Sequence, residues 1–170
     1  MSATNLLAFD TLLGVPAHPL LVHIAVVLLP LGFLLALVAM FKKIRQPLLI
    51  AAAIAAAVGG IGVLLAAGSG ESLQRSVKRT ELVRDHTELG DATQAPAVIF
   101  GGIAVLAAAE EVIRRGKFSR KMPRLPKWLP NALLVATIAS GAVATVFVYE
   151  AGHSGAKAVW TGPDGRVVQK

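Results

Sequence analysis

The sequence predicts an all-α membrane protein in which four transmembrane helices form an antiparallel bundle. Two compositional observations support this fold class. Hydrophobic residues make up 55% of the 170 residues and charged residues only 16%, whereas about a quarter of a soluble domain is charged. The chain has no cysteine, which excludes a thiolate nucleophile, an iron–sulfur cluster and a c-type haem attachment site. The apolar composition also excludes a disordered chain.

The third observation is a succession of four long apolar runs. They predict helices at about 19–41, 47–67, 92–113 and 130–150. About 20 helical residues cross a hydrocarbon core of roughly 30 Å, and a helix satisfies its own backbone there because lipid offers no hydrogen-bond partner. Residues 1–153 are therefore assigned to a four-helix transmembrane domain, and residues 154–170 to an extracytoplasmic tail.

Short elements are predicted at both ends of the chain. Apolar residues surround Asp10 and favour an interfacial helix that ends at Gly14. These residues are Leu6, Leu7, Phe9, Leu12 and Leu13. In the tail, Pro163-Asp164-Gly165 is typical of a turn and predicts a small hairpin over residues 158–168.

The net charge of +7 predicts orientation. The connections after the first and third helices hold ten cations, and the only acids beside them are Glu110 and Glu111 at the end of the third predicted helix, four residues before Arg114 and Arg115. Because basic loops stay cytoplasmic, both termini are expected outside, in a bacterial inner membrane. Contact with anionic lipid is expected for Arg114, Arg115, Lys117, Arg120 and Lys121. No motif predicts a nucleic-acid partner.

This orientation places all four histidines near the outer surface. His18 and His23 open the first helix, His86 lies in the connection predicted between helices two and three, and His153 follows helix four. A polar ring inside a lipid-spanning helix is costly unless it faces the bundle, so His23 is a candidate ligand or proton-handling group. The alternative is a structural contact in which His23 bonds a neighbouring loop carbonyl. Acids accompany the histidines at this end: Glu71, Asp85 and Glu88.

Two functions remain open at this histidine cluster. In the first, His23 with His86, His153 or His18 ligates haem b or a transition metal in a redox-associated module. Quinone, a redox protein or a membrane complex is then the expected partner, and His23 and Glu71 are candidate proton partners. In the second, the histidines and acids form a structural polar cap in a non-enzymatic accessory or scaffold subunit of a membrane complex. No catalytic residue is predicted, and an enzyme is the less favoured class.

Glycines and alanines recur at a spacing of four residues inside the predicted helices. Examples are Ala56 with Gly60 and Thr137 with Gly141. This spacing favours close helix packing. Room for a flat cofactor is the alternative interpretation.

Four short motifs resemble a bacterial membrane domain of unknown function, the family numbered 2231. They are HPLLVH at 18–23, AGSGE at 67–71, VRDHTELG at 83–90 and VYEAGH at 148–153, and the resemblance covers residues 16–153. It implies four helices and no established activity. Some members of that family carry an appended Rieske-type or cytochrome c domain, which implies a redox neighbourhood. Because this chain has no cysteine, its electron partner would be another protein or a quinone.

Overall fold

The computed structural model describes residues 11–12, 14–116 and 126–161 and shows an all-α bundle. Four helices form a ring in which each contacts its neighbour along the chain and α4 closes onto α1. Their bounds are Ala17–Val38 (α1), Arg45–Ser76 (α2), Glu81–Arg115 (α3) and Leu129–Trp160 (α4). All four are long and apolar enough to cross a membrane. The predicted fold class is confirmed.

Two exposed aromatic residues on α4 and its N-cap mark the edges of the apolar band. Trp128 and Tyr149 are both about two-thirds exposed and are separated by 21 residues, which is about 31 Å along a helix. This separation matches a hydrocarbon core of roughly 30 Å, with an aromatic side chain at each interface. We name the end of the bundle beyond Tyr149 the histidine end, and the end that contains Trp128 and Arg45 the arginine end.

Three helices continue well beyond the apolar runs at the histidine end. The connection predicted between residues 68 and 91 is wrong, because α2 runs to Ser76 and α3 starts at Glu81. The Thr80 hydroxyl caps α3 by accepting the backbone N–H of Val83 at 3.2 Å. Helix four likewise ends at Trp160 instead of near residue 150. Hydropathy located the membrane-spanning parts but not the helix ends, since the flanking polar residues also include good helix formers.

The two terminal elements differ from their predictions where the structure describes them. Thr11–Leu12 (β1) pairs antiparallel with Val15–Pro16 (β2), so Leu12 is extended and not helical. Gly14 makes the turn with φ of +81°, a conformation that favours glycine. The rest of the predicted interfacial helix, residues 1–10 and Leu13, lies outside the described residues. Residues 158–160, assigned to a hairpin strand, form the last turn of α4, and residues 162–170 also lie outside the described range.

Small residues bring the helix backbones into contact in the middle of the bundle. A Cβ atom at Gly60 would lie 3.3 Å from the carbonyl oxygen of Ala97, and one at Gly101 would lie 3.3 Å from that of Ala56. Phe100 is fully buried in the same layer. These glycines therefore serve helix packing, and the space that a flat cofactor would need is filled by backbone and side chains.

Gly141→Ala should destabilise the bundle, because the new Cβ would lie 2.8 Å from Cε2 of the buried Phe100. Overpacking of this kind costs on the order of 1–3 kcal/mol. The matched control is Gly102→Ala, whose Cβ would meet no atom within 4 Å. Thermal unfolding of both variants in detergent micelles measures the difference, and equal stabilities would contradict the packing assignment.

Candidate functional site

Two of the four histidines meet at the histidine end of the bundle. His18 of α1 and His86 of α3 come from non-sequential helices, and their ring centroids lie 5.9 Å apart with the ring planes at 74°. Both side chains are half-buried. His86, expected in a loop, lies in the second turn of α3. Folding thus brings together two imidazoles that are far apart in the sequence.

The ring of His18 rests on α2. Its Nδ1 lies 2.8 Å from the carbonyl oxygen of Ala66, and the Ser69 hydroxyl donates to the same oxygen at 3.0 Å. The next residue, Gly70, leaves room for the ring, because a Cβ there would lie 3.1 Å from His18 Cε1 and Nδ1. We name these three groups, the Ala66 carbonyl, the Ser69 hydroxyl and the side-chain-free Gly70, the seat of the His18 ring.

The ring of His86 rests on α4 in the same way. Its Nδ1 lies 3.0 Å from the carbonyl oxygen of Ala151 and 3.1 Å from the Ser154 hydroxyl oxygen. The hydroxyl donates to the Ala151 carbonyl at 2.8 Å, so it is free to accept from the ring. A Cβ at Gly155 would lie 2.9 Å from His86 Cε1. Both imidazoles are therefore seated by the neighbouring helix of their own hairpin.

These contacts determine which ring nitrogen carries the proton. A carbonyl oxygen can only accept, so Nδ1 must donate an N–H in both His18 and His86. In the neutral imidazole, Nε2 then holds the free lone pair. Histidines that ligate metals in proteins commonly have their second nitrogen fixed by such a donor bond.

The other two histidines lie apart from this pair. His23 is exposed, and its Nδ1 bonds the carbonyl of Pro19 on its own helix. It does not face the bundle, because two helical positions place it about 160° around α1 from the buried Ala25, and its bond to a backbone carbonyl resembles the structural alternative. His153 is also exposed, and it stacks on Tyr149 with centroids 6.0 Å apart.

The predicted supporting acids do not complete a metal site. Glu71, Asp85 and Glu88 are all exposed, and Glu88 is paired with Arg84 at 3.5 Å. Asp85 lines a cavity of about 190 Å³ between α3 and α4 that does not include His18 or His86. Within the described ranges, no three His, Asp or Glu side chains are grouped as a metal site would require. The chain offers a pair of imidazole ligands.

Arg114 and Arg115 at the arginine end donate hydrogen bonds to backbone carbonyls of the neighbouring loops. Arg115 pairs with the buried Glu111 at 2.6 Å and donates to the carbonyl of Lys42 at 3.1 Å. Arg114 pairs in the same i,i+4 manner with the buried Glu110. Both pairs have the i,i+4 spacing at which opposite charges meet on a helix, and they engage part of the charge that was assigned to anionic lipid. Lys117, Arg120 and Lys121 lie outside the described residues.

Sequence reasoning missed the role of Arg45. This side chain is only 8% exposed and donates to the Ala39 carbonyl at 3.2 Å and to Asn131 Oδ1 at 3.0 Å. It thereby joins the end of α1 to the start of α4. The available signal was Asn131, an amide near the start of an apolar run, which needs a polar partner when it is not in water.

Comparison with known proteins identifies one family. A family model described as a predicted membrane protein (DUF2231) matches residues 14–163. No curated protein matches the chain significantly, and neither does any solved structure.

The two seated histidines should be the Nδ1–H tautomer when neutral. NMR of protein with ¹⁵N-labelled histidine, under conditions in which the rings are neutral, should show protonated Nδ1 and unprotonated Nε2 for His18 and His86. His153→Asn is the assignment control, since removal of this exposed ring should leave both patterns unchanged. An Nε2–H pattern at either position would show that the ring does not donate to its seat.

Proposed function

Within the DUF2231 family of predicted membrane proteins, to which this chain belongs, we propose that this domain binds one transition-metal centre between His18 and His86. The observation that carries the proposal is the pair of imidazoles, each with Nδ1 committed to a carbonyl. Both neutral rings then offer Nε2 as a ligand.

The separation of the rings fits a shared metal. A metal–nitrogen bond of about 2.0–2.1 Å places each ring centroid about 3.2 Å from the ion. Two rings on one ion thus have centroids at most about 6.4 Å apart, and the observed 5.9 Å lies inside that limit. The separation of the two rings is therefore compatible with a shared ion.

A single copper or zinc ion suits this pair better than a haem. Imidazole is a good ligand for copper, zinc and iron, and two protein ligands leave coordination positions for water or for a partner's group. A haem held by the same rings also needs a porphyrin-sized slot. A cavity of about 190 Å³ between α3 and α4 is lined by Ser154 and His153 but not by either of the two rings. If copper occupies the site, the module is redox-active, and another redox protein or a quinone would be its electron partner.

A structural cap is the second candidate, and the same contacts favour it. The Nδ1 bond of His18 joins α1 to α2, and that of His86 joins α3 to α4. The experiment must therefore separate the helix-joining nitrogen from the ligand nitrogen.

Asparagine makes that separation, because its side-chain amide nitrogen takes the place of Nδ1 and nothing replaces Nε2. Purified protein should bind one Cu²⁺ or Zn²⁺ per chain in calorimetric titration, and His18→Asn and His86→Asn should each lower the affinity at least tenfold. Thermal stability should change little in both variants, since the bond to the carbonyl is kept. A haem would instead produce a Soret band that both variants abolish.

His153→Asn and His23→Asn are the matched controls, and neither should alter the affinity for the metal. Colourless wild-type protein that binds neither Cu²⁺ nor Zn²⁺ would refute the metal proposal. Loss of stability in His18→Ala and His86→Ala, with full stability in the asparagine variants, would then support the structural cap.

We also propose that the histidine end faces the outside of the cell and the arginine end the cytoplasm, as the basic loops favour. Because the chain has no cysteine, single cysteines report the orientation directly. In intact cells, a membrane-impermeant maleimide should label Ser76→Cys at the histidine end. Lys43→Cys, at the arginine end, should be labelled only after permeabilisation. The reverse pattern would contradict this orientation.

A further inference from the structure

The two imidazole seats have the same sequence pattern. Residues 66–70 of α2 and residues 151–155 of α4 both read Ala-x-x-Ser-Gly. In each seat the alanine carbonyl accepts from the histidine, the serine donates to that carbonyl, and the glycine leaves room for the ring. Two seats that share these three elements are a repeat of structure as well as of sequence, and the His86 seat adds a contact of 3.1 Å between the ring Nδ1 and the Ser154 hydroxyl oxygen.

The helices that carry the seats also correspond. Both α2 and α4 have 32 residues. Counted from the first residue of its helix, Ala66 in α2 and Ala151 in α4 occupy nearly the same position. The histidines correspond too, since each lies near the start of the first helix of its hairpin.

The correspondence extends to the middle of the bundle. Gly32 follows His18 by as many residues as Phe100 follows His86. Likewise, Ala56 precedes Ala66 by as many residues as Gly141 precedes Ala151. A Cβ at Gly32 would lie 3.3 Å from the backbone nitrogen of Ala56, and Phe100 and Gly141 are also in contact. Equivalent positions therefore touch in both hairpins.

We infer that the chain is a tandem of two equivalent helical hairpins, α1–α2 and α3–α4, related by a pseudo-two-fold axis that runs along the bundle between His18 and His86. Gly70 and Gly155 are then equivalent positioning residues for the two rings. The assignment of a metal to this axis rests on the proposed function, whereas the equivalence of the seats does not.

Symmetry restricts the kind of ligand. Two equivalent seats present two equivalent Nε2 atoms, which favours a single centre that takes both as matching ligands. A ligand that contacted only one ring would give the two seats different environments. The positioning glycines should therefore contribute equally to binding.

Gly70→Ala and Gly155→Ala test this equivalence. Each added Cβ would lie about 3 Å from Cε1 of its ring, so each should displace one imidazole. Since loss of the support behind a metal ligand typically lowers affinity 10–100-fold, both variants should weaken Cu²⁺ or Zn²⁺ binding within that range and to a similar extent. The control on α4 is Gly152→Ala, whose Cβ would be 3.9 Å from its nearest neighbour, Val26, and it should bind like the wild type.

A second readout separates the repeat from the metal. In metal-free protein, ¹⁵N-histidine NMR should show a shift of the His18 signals in Gly70→Ala and of the His86 signals in Gly155→Ala. Ser69→Ala and Ser154→Ala supply milder changes if an alanine at either glycine prevents folding. If wild-type protein binds no metal, the proposed function fails while these shifts still test the equivalence. Disturbance of only one histidine by its glycine variant would overturn the inference.

Discussion

Close approach of helix backbones is the constraint on which the other features of this protein depend. Gly60 and Gly101 let α2 and α3 touch through backbone atoms, and alanine dominates the rest of the core. Between lipid-spanning helices there is little hydrophobic driving force, so contact of this kind supplies much of the attraction. The same closeness allows the short histidine side chains of α1 and α3 to reach carbonyl groups on α2 and α4.

The membrane-spanning parts of the fold were predictable because lipid imposes a simple rule on composition. Runs of about 20 apolar residues in a row admit one interpretation. The helix ends were not predictable in this way, since residues 71–76 and 81–91 are polar and yet continue the helices into water. Hydropathy indicates whether a segment lies in lipid or in water. It predicts secondary structure only for segments in lipid, because the backbone there must form its own hydrogen bonds.

The candidate site could be predicted only in part, because its members depend on helix rotation and helix length. The clustering of histidines at one end followed from topology, but the pairing of His18 with His86 required α3 to begin at Glu81, ahead of His86. His23 attracted attention as the histidine deepest in a helix, and it faces away from the core. The repeated Ala-x-x-Ser-Gly pattern was visible in the sequence, although its meaning depended on the two rings that it seats.

The contact between Arg45 and Asn131 shows what a single chain allows that a dimer of identical hairpins does not. Arg45 precedes Ala66 by almost as many residues as Asn131 precedes Ala151. Arg45 and Asn131 therefore occupy nearly equivalent places in the two hairpins. In a dimer of identical hairpins, that place would hold the same residue twice, and one buried arginine would oppose another. Covalent linkage of the two halves removes this restriction. In a single chain the two places can hold different residues, and here they hold a complementary donor and acceptor.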